Sequence, residues 1–246
     1  MAARLPHCQY VVAPEDRLYR VPKGISDDEA AWFGLATIAQ NGVRRAEHVL
    51  GEAVVVIGLG LLGQLVVQYA RLQGAREVIA VDPAELRLEM ARAHGATATL
   101  PMGAAEARDA VLQLTDGDGA DVVYKVIGAA PVFPAALGLL RRFGRLVLLG
   151  DTGAPTAQHL TSEVIHNGLS IVAAHDSHPP LVATDHAPWT HQRMAALFFT
   201  YLLRGNMRVS DLVTHRYAPT EAAEAYRLLC EQRGSAMGVL FDWTSP

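Results

Sequence analysis

Between residues 46 and about 174, short apolar runs rich in valine and isoleucine alternate with longer stretches whose apolar positions recur every three or four residues. That alternation marks a parallel sheet with crossover helices. The runs at 53–57, 77–81, 121–127, 145–149 and 169–173, with a weaker one at 97–100, are predominantly apolar without alternation, as strands covered on both faces are. Leu61, Leu62, Leu65, Val66, Tyr69 and Leu72 form one helical stripe, stopped by Gly74. Further helices are predicted over 84–93, 104–114 and 132–141, with Gly95, Gly117 and Gly144 as left-handed stops. The fold class is α/β, a doubly wound parallel sheet.

The flanks follow another rhythm. Residues 8–13 predict an isolated strand, and Ser26 followed by Asp27, Asp28 and Glu29 predicts an N-cap and acidic first turn for a helix through about residue 44. Beyond residue 175 come a loop with Pro179, Pro180 and Pro188, a helix over 189–203, a strand at 213–217, a helix from 219 to about 230 and a strand at 237–241. The organisation expected is therefore a lead-in over 1–45, a sheet domain over 46–175 and a carboxyl-terminal segment over 176–246.

Composition narrows the functions. Half of the 246 residues are hydrophobic and 19% are charged, enough for a large core. The formal net charge of −4 supplies no positive field for a polyphosphate backbone, so nucleic acid is not an expected partner. No apolar run reaches the roughly 18–20 residues that cross a membrane, and Pro6 and His7 interrupt the start where a signal peptide would continue. A cytoplasmic protein is expected. Cys8 and Cys230 lie near opposite ends and suit neither a disulfide framework nor a thiolate zinc cage.

The sharpest chemical signal is Gly58-Leu59-Gly60-Leu61-Leu62-Gly63, directly after a predicted strand and directly before a predicted helix. In that context Gly58 permits a tight turn, Gly60 lets backbone approach a pyrophosphate, and Gly63 lets the helix press on the sheet. The anion then meets the free amides at the helix start, Leu61 and Leu62. Asp82 ends the next strand, where a carboxylate accepts from the adenosine ribose hydroxyls and repels an added phosphate, so NAD rather than NADP is expected. The competing reading makes these glycines a turn and Asp82 a cap for the helix after Pro83.

These residues resemble the medium-chain dehydrogenase/reductase family, the zinc-type alcohol and polyol dehydrogenases. Residues 9–22 are similar to the last strand of that family's GroES-like catalytic domain, 24–31 to its lead-in, and 54–82 to its Rossmann cofactor domain. Arg87 falls where the family places a cation beside the ribose, the stretches 121–128 and 144–150 match later sheet strands, bringing Ile127 and Gly150 to the cofactor, and 219–229 resembles the returning helix. The resemblance also implies that two zinc ligands and the proton relay precede this chain. The third ligand position holds Phe33, which cannot bind a metal, and the four-cysteine lobe has no counterpart, so no metal site and a zinc-independent chemistry are expected.

Candidate catalytic residues follow from position. Lys125 stands near the carboxyl end of a central strand, where open α/β sheets bind ligands, either as an electrophilic or proton-donating group or as a lysine snorkelling to water. Six of the ten histidines fall between 159 and 191, and His175 and His178 follow the last sheet strand, where an imidazole suits general acid or base work and the alternative is a solvated loop. His175, His178, Asp185 and His186 are also chemically able to ligate a metal, at no recognisable zinc spacing. Tyr124 is either a core phenol or a group reaching the cofactor. The apolar run at 169–173 predicts an exposed sheet edge and a homodimer through it.

The function expected is a zinc-independent NAD(H)-dependent oxidoreductase acting on a small alcohol or carbonyl substrate. The alternatives are a non-redox enzyme on a dehydrogenase scaffold, such as an isomerase, lyase or cyclase, and a catalytically silent NAD-binding partner subunit.

Overall fold

The computed structural model describes residues 1–150 and 153–244. In chain order the elements are α1 (Asp27–Ala31), α2 (Phe33–Arg45), β1 (Ala53–Ile57), α3 (Leu61–Leu72), β2 (Glu77–Val81), α4 (Glu85–Ala93), β3 (Ala98–Leu100), α5 (Arg108–Leu114), β4 (Ala120–Lys125), α6 (Val132–Leu137), β5 (Leu140–Leu148), α7 (Glu163–His166), β6 (Ser170–Ala173), α8 (His191–Leu203), β7 (Val213–Tyr217), α9 (Ala222–Glu231) and β8 (Gly238–Phe241). They divide into two units, one of residues 38–178 and one of 1–37 with 179–246.

The larger unit is a six-stranded parallel sheet in the order β3-β2-β1-β4-β5-β6, the predicted doubly wound α/β architecture. Every residue of β1 is buried, which is why its five positions read as one apolar run without alternation. On one face, Val55, Ile57, Ile79, Val81, Val123 and Leu146 pack with Val111 of α5 and Phe133, Ala136 and Leu137 of α6. Helices α3 and α4 pack on their own strands, and α3 buries Leu65, Val66, Val67, Tyr69 and Ala70, leaving Leu72 at its rim. Chain order reverses direction across the sheet between β1 and β4. At such a reversal the loops leaving the carboxyl ends diverge and open a crevice.

Several boundaries differ from the pattern. The strand β4 ends at Lys125 rather than 127, and β5 begins at Leu140, inside the stretch predicted to be helix. Gly95 and Gly117 do take positive φ, but Gly144 does not; Phe143 carries the left-handed turn at φ 61°. Gly144 answers a packing need instead, because a Cβ there would sit 3.0 Å from the Arg141 carbonyl oxygen and 3.1 Å from that of Ala120.

In the smaller unit, β7 and β8 pair in parallel. The strand predicted at 8–13 is absent: Tyr10 and Val12 are exposed, and the only bridge near it joins Ala2 to Tyr19. An extended segment without a neighbour has nowhere to send its backbone hydrogen bonds. The predicted helix through residue 44 is interrupted at Trp32, although Ser26 caps its start as expected, accepting from the Glu29 amide while Glu29 accepts from the Ser26 amide.

Candidate dinucleotide site

The crevice begins at the turn between β1 and α3. Gly58 has φ 91°, a conformation that side chains resist. A Cβ on Gly63 would lie 2.0 Å from the Gly58 carbonyl oxygen, so the helix can start this close to the strand only without one. Gly60 is the N-cap of α3 and differs from both: its φ is −70°, and a Cβ there would meet nothing within 4 Å. Neither strain nor packing explains a glycine at 60. The start of this 12-residue helix is open over bare backbone, with Leu61 and Leu62 half-buried beside it, and helix starts of this kind accommodate anions.

Asp82 holds this turn in place. Its Oδ2 accepts from the Leu59 amide at 2.9 Å, its Oδ1 accepts from the Ala84 amide at 2.9 Å, and Arg87 Nη1 lies 3.5 Å from Oδ2. The carboxylate is almost fully buried and bridges the glycine turn to the start of α4, so the capping reading and the ribose reading describe the same side chain. Each carboxylate oxygen has further lone-pair capacity. Gln64, which the pattern did not single out, completes the bridge by donating to the carbonyls of Leu59 at 3.2 Å and Arg87 at 2.8 Å. Its signal was an amide side chain within the apolar stretch of α3, one of two there with Gln68, both buried.

The tip of β4 closes the other side. The Val126 amide donates to the Ile57 carbonyl, the Ile127 side chain lies 3.4 Å from where a Gly58 Cβ would be, and a Gly150 Cβ would lie 2.2 Å from the Val126 carbonyl oxygen. Gly58, Gly60, Gly63, Asp82, Arg87, Ile127 and Gly150 are thus gathered at the carboxyl ends of β1, β2, β4 and β5.

Lys125 sits in the middle of that edge. Strand register aligns Leu100, Val81, Ile57, Lys125, Leu148 and Ala173 in one row across all six strands, and in a parallel sheet a row shares one face. The lysine is fully buried, which overturns the snorkelling alternative. His175 and His178 lie two and five residues beyond the last member of the row, both exposed, in a turn where the His178 amide donates to the His175 carbonyl. His175 Nδ1 accepts from the Ser177 amide at 3.2 Å, so in a neutral ring the proton is on Nε2, and Asn41 donates to the His175 carbonyl at 2.9 Å. No group of three metal-ligating side chains is found among the described residues.

Tyr124 is placed elsewhere, and its candidacy for the cofactor is corrected here. It is fully buried, and its Oη lies 2.7 Å from His48 Nε2; His48 Nδ1 lies 2.8 Å from Glu52 Oε2, and Arg145 pairs with the other Glu52 oxygen. Glu52 directly precedes β1, so this chain draws the phenol toward the amino-terminal end of the strands, opposite to the glycine turn. Burial holds the His48 imidazole below its ordinary value against the pull of Glu52, and burial raises the Tyr124 phenol well above its own. The neutral arrangement therefore has Tyr124 donating to Nε2 and Nδ1 donating to the Glu52 carboxylate. His48, Glu52 and Arg145 carried no pattern that marks them from the sequence.

Residues 62–177 match the family described as zinc-binding dehydrogenase. The D-guloside 3-dehydrogenase of Escherichia coli (strain K12) is 31% identical over 231 residues, covering 92% of this chain and 65% of that protein. Among solved structures, an alcohol dehydrogenase from Escherichia coli CFT073 complexed with NADH superposes with a TM-score of 0.77 at 19% identity, over 94% of this chain and 64% of that one. A zinc-binding dehydrogenase from Sinorhizobium meliloti 1021 bound to NADP gives 0.76 at 23% identity, with the same coverage. The chain thus spans just under two thirds of the length of the proteins it matches. Among the described residues, no helix is long and apolar enough to cross a membrane.

Proposed function

We propose that this chain, which belongs to the medium-chain dehydrogenase/reductase family of zinc-type alcohol dehydrogenases, is an NAD(H)-dependent oxidoreductase acting on a small alcohol or carbonyl compound. The observation that carries the reading is Gly60: a glycine that neither backbone strain nor packing requires, at a helix start whose approach is open. The residues present fit a dinucleotide. The Gly60–Gly63 turn would receive the pyrophosphate, Asp82 the adenosine ribose with Arg87 beside it, and Ile127 and Gly150 would flank the other half. When bound, the nicotinamide supplies a hydride acceptor or donor at C4.

The chain's own part is orientation and proton handling. Asp82 and Gln64 fix the turn before any ligand arrives, so little ordering remains to be done on binding. The preference for NAD over NADP rests on the Asp82 carboxylate, whose negative charge opposes a ribose phosphate. His175, exposed at the end of β6 with Nε2 outward of its local hydrogen bonds, is the group we assign to proton exchange with the substrate oxygen, with His178 as its neighbour in the turn. The reaction is read as zinc-independent because the resemblance puts the family's third ligand position at Phe33, a buried phenyl. We further assign a homodimer formed through β6, which is an edge strand of the sheet.

Calorimetric titration with NAD⁺ and with NADP⁺ tests the core of this. NAD⁺ is expected to bind tighter, and Asp82→Ala is expected to weaken NAD⁺ and narrow the gap between the two. Absence of heat with either dinucleotide at saturating concentration refutes the reading, and a variant with unchanged selectivity refutes the role of Asp82.

A further inference from the structure

The smaller unit has a cavity of its own. Its volume is about 570 Å³, within the roughly 300–1,000 Å³ of small-molecule sites. Every residue lining it belongs to 1–37 or 179–246, so neither the glycine turn nor Asp82 has a part in it.

The lining combines fixed positive charge with bare aliphatic surface. Arg4 and Arg17 bring two guanidiniums, a group that stays protonated in proteins, against the one carboxylate of Asp16. With His191 neutral, one net positive charge remains. Beside these groups stand Leu181 at 95% exposure and Val182 at 76%, consecutive aliphatic side chains left in solvent. Single exposed aliphatics are ordinary, but a pair of them next to two cations forms a surface with a charged end and an apolar floor.

The walls are set before any ligand arrives. Ala2 and Tyr19 form a backbone bridge, each amide donating to the other's carbonyl at 2.8 Å, which anchors the segment carrying Arg4. Arg4 Nη2 donates to the Gly34 carbonyl at 3.0 Å and to Thr37 Oγ1, and its guanidinium carbon lies 5.9 Å from the centroid of the Phe33 ring. Gln192 Nε2 donates to the carbonyls of Asp16 and Leu18, both at 3.1 Å, so the turn that carries Arg17 is clamped to the start of α8. A cation held from behind by a helix and a ring loses little freedom when it meets an anion.

We infer that this cavity is a binding site for a small aliphatic monocarboxylate, its carboxylate taken by the guanidiniums and its hydrocarbon by Leu181 and Val182. The planar fork of a guanidinium matches the two oxygens of a carboxylate. One net positive charge also matches one negative charge, whereas the second charge of a phosphate monoester would face Asp16. The inference goes beyond the dinucleotide reading and does not depend on it.

The test is a ligand-observed NMR titration of the full chain at about pH 8, where imidazoles are unprotonated. The probe is 4-methylpentanoate, with 4-methylpentanamide as the uncharged control and 3-methylbutyl phosphate as the dianion. The carboxylate is expected to saturate with a millimolar dissociation constant or tighter, and the amide to bind about tenfold more weakly. Arg17→Gln removes none of the contacts named above and is expected to weaken the carboxylate about fivefold without moving the amide, while Leu181→Ser is expected to weaken both. Absence of saturable carboxylate binding, equal affinities for carboxylate and amide, or an Arg17→Gln variant that binds as the parent does each overturn the inference, and tighter binding of the phosphate overturns the ligand class. The NAD⁺ titration bears on the glycine turn alone, so the two readings fail separately.

Discussion

Tyr124→Phe deletes one oxygen and leaves the ring in place, so it separates a core role for this tyrosine from a catalytic one. The cost is worked from what the oxygen touches. His48 Nε2 loses its partner at 2.7 Å and is left inside the protein as an acceptor without a donor, which costs about 1–3 kcal/mol. The transfer of a smaller, less polar side chain into a fully buried position offsets little of this. Urea denaturation at pH 7 is expected to show a lower midpoint with an unchanged slope. The acid limb adds a second signature. Because burial depresses the folded-state value of His48 below the ordinary 6.5, the unfolded chain takes up a proton first as pH falls. The stability contributed by neutral His48 is therefore complete above pH 6.5 and is lost as pH falls through the depressed folded value. In the variant Nε2 is no longer occupied and accepts a proton more readily, so the difference between the two proteins shrinks in acid. Dinucleotide affinity is expected to be unaffected at pH 7, since the phenol is held toward the amino-terminal end of the strands. A variant as stable as the parent that has lost NAD⁺ binding or turnover would refute this placement.

Three further substitutions discriminate between two glycines and test the assembly. Gly60→Ala is expected to leave stability within about 0.5 kcal/mol and to weaken NAD⁺ binding at least tenfold, since its methyl points only into the open cradle, whereas Gly63→Ala, which drives a methyl against the Gly58 carbonyl, is expected to cost about 1–3 kcal/mol of unfolding free energy as well; calorimetry and urea melts separate the two, and equal stability losses refute the division. Ile171→Lys on the half-exposed edge strand is expected to convert the dimer to a monomer in sedimentation velocity, and an unchanged sedimentation coefficient, or a monomeric parent, refutes assembly through β6. The Ala174 amide donates inward to Leu148 of β5, so by alternation the outward backbone groups are those of Ala173, whose carbonyl already accepts from Arg45 at 2.8 Å, and of Ile171, where pairing is expected.

The sequence by itself determined the sheet and its glycine turn. The apolar run at 53–57 means burial on both faces, the helical stripe from Leu61 means one face on the sheet, and three glycines at fixed spacing between them mean a tight turn; each is a local relation, and β6 shows its limit, since the run at 169–173 reads alike but lies at the sheet edge largely exposed. The tertiary structure decided everything that depends on which strand lies beside which. Tyr124 and Lys125 are neighbours in a run, and nothing in that run says that one phenol is drawn down to His48 and the other side chain is sealed at the crevice. The same holds for Asp82, whose grip on Leu59 spans two elements, and for the turn at Phe143, where Gly144 was needed for space rather than for its φ. The segment at 8–13 has strand-forming residues and no partner, and a strand is a property of a pair. Periodicity records the environment of each face, but hydrogen-bond partners and the fate of a buried charge are set by residues dozens of positions away, brought together only when the sheet closes.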